Sequence, residues 1–285
     1  MIAFPNCKIN LGLHITEKRE DGYHNLQTIF YPIPWKDIIE LVSNKWAVVS
    51  DKNNSEFRIQ NLKFHSSGLP IPGDSSNNLC IKAWELLKQD FPQLPPVYMH
   101  LHKVIPMGAG LGGGSADGAF VLKMLNEKFS LNLTPSQLIP YALALGSDCP
   151  FFIYNEPCYA TSRGEILEPI TLDLSEYKMV LINPGIHIST KWAFEQIIPQ
   201  APAKDLREII SLPITGWKHI LYNDFEAPAI KANPIIGNIK EDLYNDGAIY
   251  ASMTGSGSTL YAMYPKNQAI SLNFPANYLV KEVEL

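Results

Sequence analysis

The chain contains no run of lysines or arginines, no Cys-x-x-Cys or His-x-x-x-His pair, and no apolar stretch long enough to cross a bilayer. With a net charge of −5 and no basic patch to neutralise phosphate backbones or anionic headgroups, long nucleic acid and membrane surfaces are disfavoured partners. Cys7, Cys80, Cys149 and Cys158 lack metal-ligand spacing and read as reduced thiols of a cytoplasmic protein. The histidines are equally unpaired, so no protein-borne metal site is expected. Met1 to Asn10 lacks the basic start and apolar run of a secretory leader.

What is present suits a folded enzyme. Hydrophobic residues make up 46% of the 285 positions and charged residues 18%, enough to bury a core in one large domain or two ordinary ones. No internal repeat or low-complexity tract appears. From Cys7 to Ile15 the pattern alternates, with Ile9, Leu11, Leu13 and Ile15 on one face and Lys8, Asn10, Gly12 and His14 on the other, which predicts a half-buried strand. Asp21-Gly22 signals a turn. Ile38 to Val49, Glu56 to Ile59 and the stretch from Val97 toward Pro106 read as strands. Asn77 to Gln89 reads as a helix.

Thr134 and Pro135 form an N-cap and first position for another helix, which Gly146 ends. Further on, Met179 to Ile182, Ile249 to Met253 and Thr259 to Tyr264 read as strands, and Thr190 to Ile198 as a helix. Pro199 to Pro213 is irregular or weakly helical. Strands and helices mix without strict alternation, which favours an α+β fold. A soft boundary near residue 160 divides it into domains 1–160 and 161–285.

The most informative stretch is Pro106-Met107-Gly108-Ala109-Gly110-Leu111-Gly112-Gly113-Gly114-Ser115-Ala116-Asp117. It lies between a predicted strand and a helix that carries Phe120, Val121, Met124 and Leu125. Glycines let backbone N–H groups approach a phosphate, and the following helix adds its unpaired N–H groups and positive end. A flexible hinge is the plain alternative. A P-loop would need a lysine where Gly114 stands. Gly108, Gly110 and Gly113 do match the dinucleotide pattern. No acidic residue follows near Leu131 to Leu133 to hold a ribose, so a nicotinamide-dependent oxidoreductase is only the second reading. A nucleotide-binding module without catalysis is the third.

The whole string resembles the ATP-binding motif of the GHMP kinases, a family of small-molecule kinases. Cys7-Lys8-Ile9-Asn10-Leu11 resembles the family's first motif, and Met253-Thr254-Gly255-Ser256-Gly257-Ser258 its third. Asp21-Gly22-Tyr23-His24, Leu26-Gln27-Thr28, Leu145 to Pro150, Asn183-Pro184-Gly185 and Asn223-Asp224-Phe225-Glu226 resemble one branch in particular. That branch serves the non-mevalonate isoprenoid route, and its substrate carries a cytidine diphosphate group. Cys7, Gly118 and Ser162 to Glu165 depart from the family pattern.

The resemblance implies a two-domain α+β architecture with the active site in the cleft between domains. It implies ATP, with Mg²⁺ held mainly by the nucleotide, and a small-molecule alcohol as acceptor; the sequence leaves monomer and homodimer both open. It assigns Asp148 as the base for the substrate hydroxyl, where a turn or capping aspartate is the alternative. Lys8 would favour the ionised carboxylate and polarise the hydroxyl or γ-phosphate, where a solvated lysine is the alternative. Asn10 would hydrogen-bond in the same place. Pro106 to Ala116 would bind the nucleotide, with Ser115 touching phosphate or Mg²⁺. Asn78 and Lys103 would lie at the adenine end, unless they are a helix cap and a surface residue. Tyr23 and Phe194 would sandwich the cytosine, unless they are core residues. His24 would read the base's polar edge and Thr190 would reach the diphosphate. Gly255, Ser256 and Gly257 would floor the site, unless they form an ordinary hairpin loop.

Overall fold

A computed structural model describes residues 1–43, 56–59 and 61–285. The chain divides into two compact units, each assembled from separate stretches. Met1–Cys7, Lys36–Met107 and Gly112–Asn155 form the first, and Lys8–Trp35, Gly108–Leu111 and Glu156–Leu285 the second. Residues 8–35 and 108–111 thus group with 156–285, whereas the sequence suggests a single boundary near residue 160. Nothing local marks that exchange, because it depends on which sheet a strand joins.

The first unit holds a sheet in the order Ile2–Ala3, Ile38–Ser43, Val97–Lys103, Leu62–Gly68, Glu56–Ile59. The strand expected over Ile38 to Val49 is seen as far as Ser43, and the rest lies outside the described residues. Val97–Lys103 pairs antiparallel with Ile38–Ser43 and parallel with Leu62–Gly68. Its inward residues are Val97, Met99, Leu101 and Lys103, as a period of two dictates. Helix Leu79–Asp90 begins one residue after the short 3₁₀ segment Ser75–Asn77, with the Asn78 side chain accepting from the Cys80 N–H as its cap.

Helix Gly113–Lys128 follows the glycine run and buries Ala116, Ala119, Val121, Leu122, Met124 and Leu125. Helix Pro135–Leu145 starts as expected with a capping box between Thr134 and Gln137, and Gly146 follows its end. Short helix Cys149–Tyr154 completes the group. A side chain at Gly118 would come within 2.9 Å of Leu79 Cβ, so its glycine permits close approach of the first two helices.

The second unit contains two four-stranded sheets. One runs Asn6–Lys18, His24–Lys36, Cys158–Thr161, Ile166–Pro169, and the other Tyr250–Met253, Leu260–Pro265, Tyr177–Asn183, Leu279–Glu284. Helices Thr190–Glu195, Leu206–Ile210, Glu226–Ala232 and Pro234–Asn245 accompany them. Val180, Ile182, Phe225, Ile236, Ile239 and Leu243 belong to one continuous apolar core.

One expectation is overturned here. Strand Asn6–Lys18 is buried on both faces through Leu13 and beyond, not half-buried. Its polar face is enclosed because each polar side chain finds an internal partner, as for His14, whose Nδ1 lies 3.2 Å from Asp224 Oδ1.

All four cysteines are buried, and none forms a disulfide. Among the described residues no helix is long and apolar enough to cross a membrane.

Candidate active site

In the second unit, alternation along strand Asn6–Lys18 puts Lys8 and Asn10 on one face. The Lys8 ammonium donates to Asn10 Oδ1 at 2.7 Å and lies 4.7 Å from the centre of the Phe30 ring. The Lys8 amide donates to the Leu111 carbonyl at 2.9 Å, which ties this strand to the glycine run. Thr254 adds a second tie. Its hydroxyl accepts from the Asn10 amide at 3.0 Å and donates to the Gly110 carbonyl at 3.1 Å.

Gly110 is obligatory at this crossing. Its φ is +78°, and a Cβ there would stand 2.1 Å from the Thr254 carbonyl oxygen. The structure thus brings Lys8, Asn10, Gly108 to Leu111 and Gly255 into one connected network.

Asn223 organises the loop that carries Gly255, Ser256 and Gly257. Its Nδ2 donates to the Met253 and Gly255 carbonyls, each at 2.8 Å, and its Oδ1 accepts from the Phe225 amide at 3.0 Å. Glu226 holds the preceding strand by accepting from the Met253 amide at 2.7 Å and the Ser252 hydroxyl at 3.1 Å. The Asn223 to Glu226 motif is therefore a clamp on this loop. Thr28, Thr254, Asn223 and Glu226 were assigned no role from sequence, although each falls in one of the motifs noted there. Thr190 is exposed and pairs with the Ser256 hydroxyl at 3.1 Å.

The aromatic residues are arranged differently from a simple sandwich. His24 stacks on Phe194, while Tyr23 is 57% exposed and carries the Arg163 guanidinium 4.9 Å from its ring centre. Arg163 is held in turn by Glu165, whose carboxylate accepts from its amide at 2.7 Å and from its Nε at 3.2 Å. Burial, helped by the positive charge of Lys18, lowers the His24 pKa below its usual value and favours the neutral ring.

In the first unit, Gly112 precedes helix Gly113–Lys128, and no side chain caps that end. The first helical bond visible there runs from the Ala116 amide to the Gly112 carbonyl, 2.9 Å long. The N–H groups of Gly113, Gly114 and Ser115 come before it and face the helix N-terminus, where the macrodipole favours an anion. Pro106 and the exposed Met107 lead into this end.

Asp148 sits at the N-cap position of helix Cys149–Tyr154, yet its side chain makes no capping hydrogen bond. Asn78 is the cap of helix Leu79–Asp90 and is half-buried.

Lys103 is neither exposed nor available as a surface cation. Its ammonium is buried between Asp37 and Asp117, 2.8 Å from Asp117 Oδ2 and in short contact with Asp37. Asp37 also accepts from the Val104 and Ile105 amides at 2.5 and 2.8 Å. Burial would lower the Lys103 pKa, but the two carboxylates outweigh it and raise it. Burial raises the Asp117 carboxyl to about 7 against the pull of Lys103, with Asp37 adding to the rise. The triad is nearly neutral when Asp117 holds its proton. Asp37 was not anticipated, since its partner lies 66 residues along the chain.

Among the described residues no cluster of three or more His, Cys, Asp or Glu is disposed to hold a metal. The helix that follows the glycine run leads into further helices, not into a parallel strand of the same sheet. That is not the βαβ unit required by the dinucleotide reading.

Family models for the GHMP kinases N terminal domain and the GHMP kinases C terminal region match residues 78–156 and 206–272. A 4-diphosphocytidyl-2-C-methyl-D-erythritol kinase of Bacteroides fragilis is 49% identical over 279 residues, covering 98% of this chain and 97% of the relative.

The chain belongs to the GHMP kinase family.

The kinase of the same name from Bacteroides thetaiotaomicron is 49% identical over 264 residues, 93% of this chain and 92% of its own length. A crystal structure of a 4-(cytidine 5'-diphospho)-2C-methyl-D-erythritol kinase aligns with a TM-score of 0.76 at 29% identity, over 92% of this chain and 90% of that one. The mevalonate kinase of Methanococcus jannaschii aligns with a TM-score of 0.63 over 94% and 92% of the two chains. At 13% identity it shows the GHMP fold alone. The protein is thus an ATP-dependent small-molecule kinase of α+β fold.

Proposed function

We propose that this protein transfers the γ-phosphate of ATP to the hydroxyl at position 2 of 4-diphosphocytidyl-2-C-methyl-D-erythritol, a step of non-mevalonate isoprenoid precursor synthesis in the cytoplasm. The observation that carries this reading is near-full-length identity of 49% to a kinase of that name. The Asp21 to His24 segment, the branch's own motif, supports it.

Phosphoryl transfer asks a protein mainly for positioning and charge compensation. The uncapped N–H groups of Gly113 to Ser115 and the bare backbone at Gly110 fit a polyphosphate, and these residues with Met107 to Ala109 would hold it. Bound ATP supplies the phosphoryl group, and Mg²⁺ would take its oxygens chiefly from the phosphates. Asn78 and Lys103 border the nucleotide end in this reading. Asp148 accepts the proton of the attacking hydroxyl, consistent with a carboxylate not spent on capping. Lys8, oriented by Asn10, supplies positive charge for the anionic reacting groups.

At the acceptor end, the open face of Tyr23 stacks on the cytosine. Neutral His24 and Phe194 form the adjoining wall, and Thr190 with Ser256 reaches the diphosphate.

The test is ADP release across a panel containing this cytidine diphosphate alcohol, its uridine counterpart, mevalonate, homoserine and galactose. Turnover concentrated on the cytidine compound is expected. Preference for another alcohol by tenfold or more in kcat/KM would overturn the assignment.

A further inference from the structure

Lys8, Asn10 and Thr28 are 3%, 2% and 0% exposed, so their polar atoms need partners inside the protein. The Thr28 hydroxyl donates to the Gly12 carbonyl at 2.6 Å, which spends its one proton. Its remaining lone pairs can only accept, and Asn10 Nδ2 donates to it at 2.9 Å. That fixes which way the Asn10 amide faces. Oδ1 is turned toward Lys8 Nζ at 2.7 Å. A reversed amide would set its NH₂ donors against an ammonium that can only donate.

We infer that Thr28 is a positioning residue for phosphoryl transfer, acting on the Lys8 ammonium through the Asn10 amide. The inference rests on the kinase reading with Lys8 at the reacting groups. It places Thr28 one step behind the chemistry. It also gives Asn10 a role in orienting Lys8. Thr28 lies in strand His24–Lys36, opposite Ala160, so sheet pairing holds its backbone independently of the hydroxyl.

The experiment is a double-mutant cycle on the full chain, with ATP and the cytidine diphosphate alcohol as substrates, using Thr28→Val, Lys8→Met and the pair. Thr28→Val should lower kcat about 10- to 100-fold, the scale for a misplaced reacting group, with the KM for ATP within about twofold. Thr28→Ser should restore kcat to within about threefold. In the Lys8→Met background Thr28→Val should cost less than about twofold, because its target is gone.

If valine disturbs folding, seen as a large fall in Tm, Thr28→Ala takes its place in the cycle. Equal losses in both backgrounds would overturn the inference in favour of a merely structural hydroxyl, as would an unchanged kcat in Thr28→Val. Full turnover by Lys8→Met would overturn the role of Lys8 and this one with it. A wild type that phosphorylates none of the alcohols would instead fail the kinase assignment.

Discussion

His24 lies flat on Phe194, with ring centroids 4.8 Å apart and planes 20° apart, and Phe194 meets Phe225 edge-on at 4.9 Å. Phe194 is therefore part of an aromatic stack that leads into the core of the second unit, whereas Tyr23 stands outside it.

The two aromatic residues should consequently respond differently to truncation. Tyr23→Ala should raise the KM for the cytidine substrate roughly tenfold, on the scale of about 1–3 kcal/mol for base stacking, with Tm and the KM for ATP unchanged. Phe194→Ala should raise the same KM and also lower Tm, because it opens the stack against Phe225. Steady-state kinetics with thermal melts separate the two, and an unchanged KM in Tyr23→Ala would remove the stacking role.

Asp148→Asn should lower kcat by about 10² to 10⁴, the range for a lost general base. Calorimetric ATP affinity should stay near wild type, since the nucleotide is held elsewhere in this reading. Full turnover would reassign the base.

The phosphate cradle is best probed at Gly114. Gly112 has φ +68°, so any side chain there strains the backbone whether or not phosphate binds. A Cβ at Gly114 would meet only the flexible end of Met107, at 3.2 Å from Cε. Gly114→Val should weaken ATP binding about tenfold or more in calorimetry by crowding the N–H groups, with a small change in Tm. Normal ATP binding would exclude this helix end as the cradle.

Asn223→Ala would strip two buried carbonyls, those of Met253 and Gly255, of their donor. The cost should be roughly 2–4 kcal/mol, the scale for unsatisfied buried groups, read as a lower urea midpoint at constant m. Activity should fall with stability, since the same loop carries the Thr254 contact to Gly110.

Asp117 titrates at about 7 in the folded protein, above its ordinary value of 3.8. An acid raised on folding stabilises the native state below its unfolded pKa, and that contribution is lost as pH rises through the folded value. Wild-type stability should therefore lose this contribution between about pH 4 and 7. Asp117→Asn should flatten that part of the profile, measured by urea unfolding across pH. An identical slope in the variant would show that Asp117 does not hold the proton.

Local patterns were enough to read much of this protein. The alternation from Cys7 to Ile15, the Thr134 cap and the glycine run each specify a neighbour-to-neighbour geometry, and strand, helix start and uncapped helix end follow. The motif order along the chain was enough to indicate the family. What sequence could not supply was the partner of each polar residue. Lys8 and Lys103 look alike in sequence, two lysines on alternating strands. The family resemblance gives Lys8 to the reacting groups, with a solvated lysine as the alternative, and the structure buries it against Asn10. Lys103 has a surface residue as its alternative reading, and it is buried between Asp37 and Asp117. Burial makes an unpaired charge so costly that its partner must be found wherever the fold brings one, and for Lys103 that partner is 66 residues away. The relay from Thr28 to Lys8 and the clamp of Asn223 on the Gly255 loop arise in the same way. They were decided only when the tertiary structure enclosed polar groups that had no water left to bind.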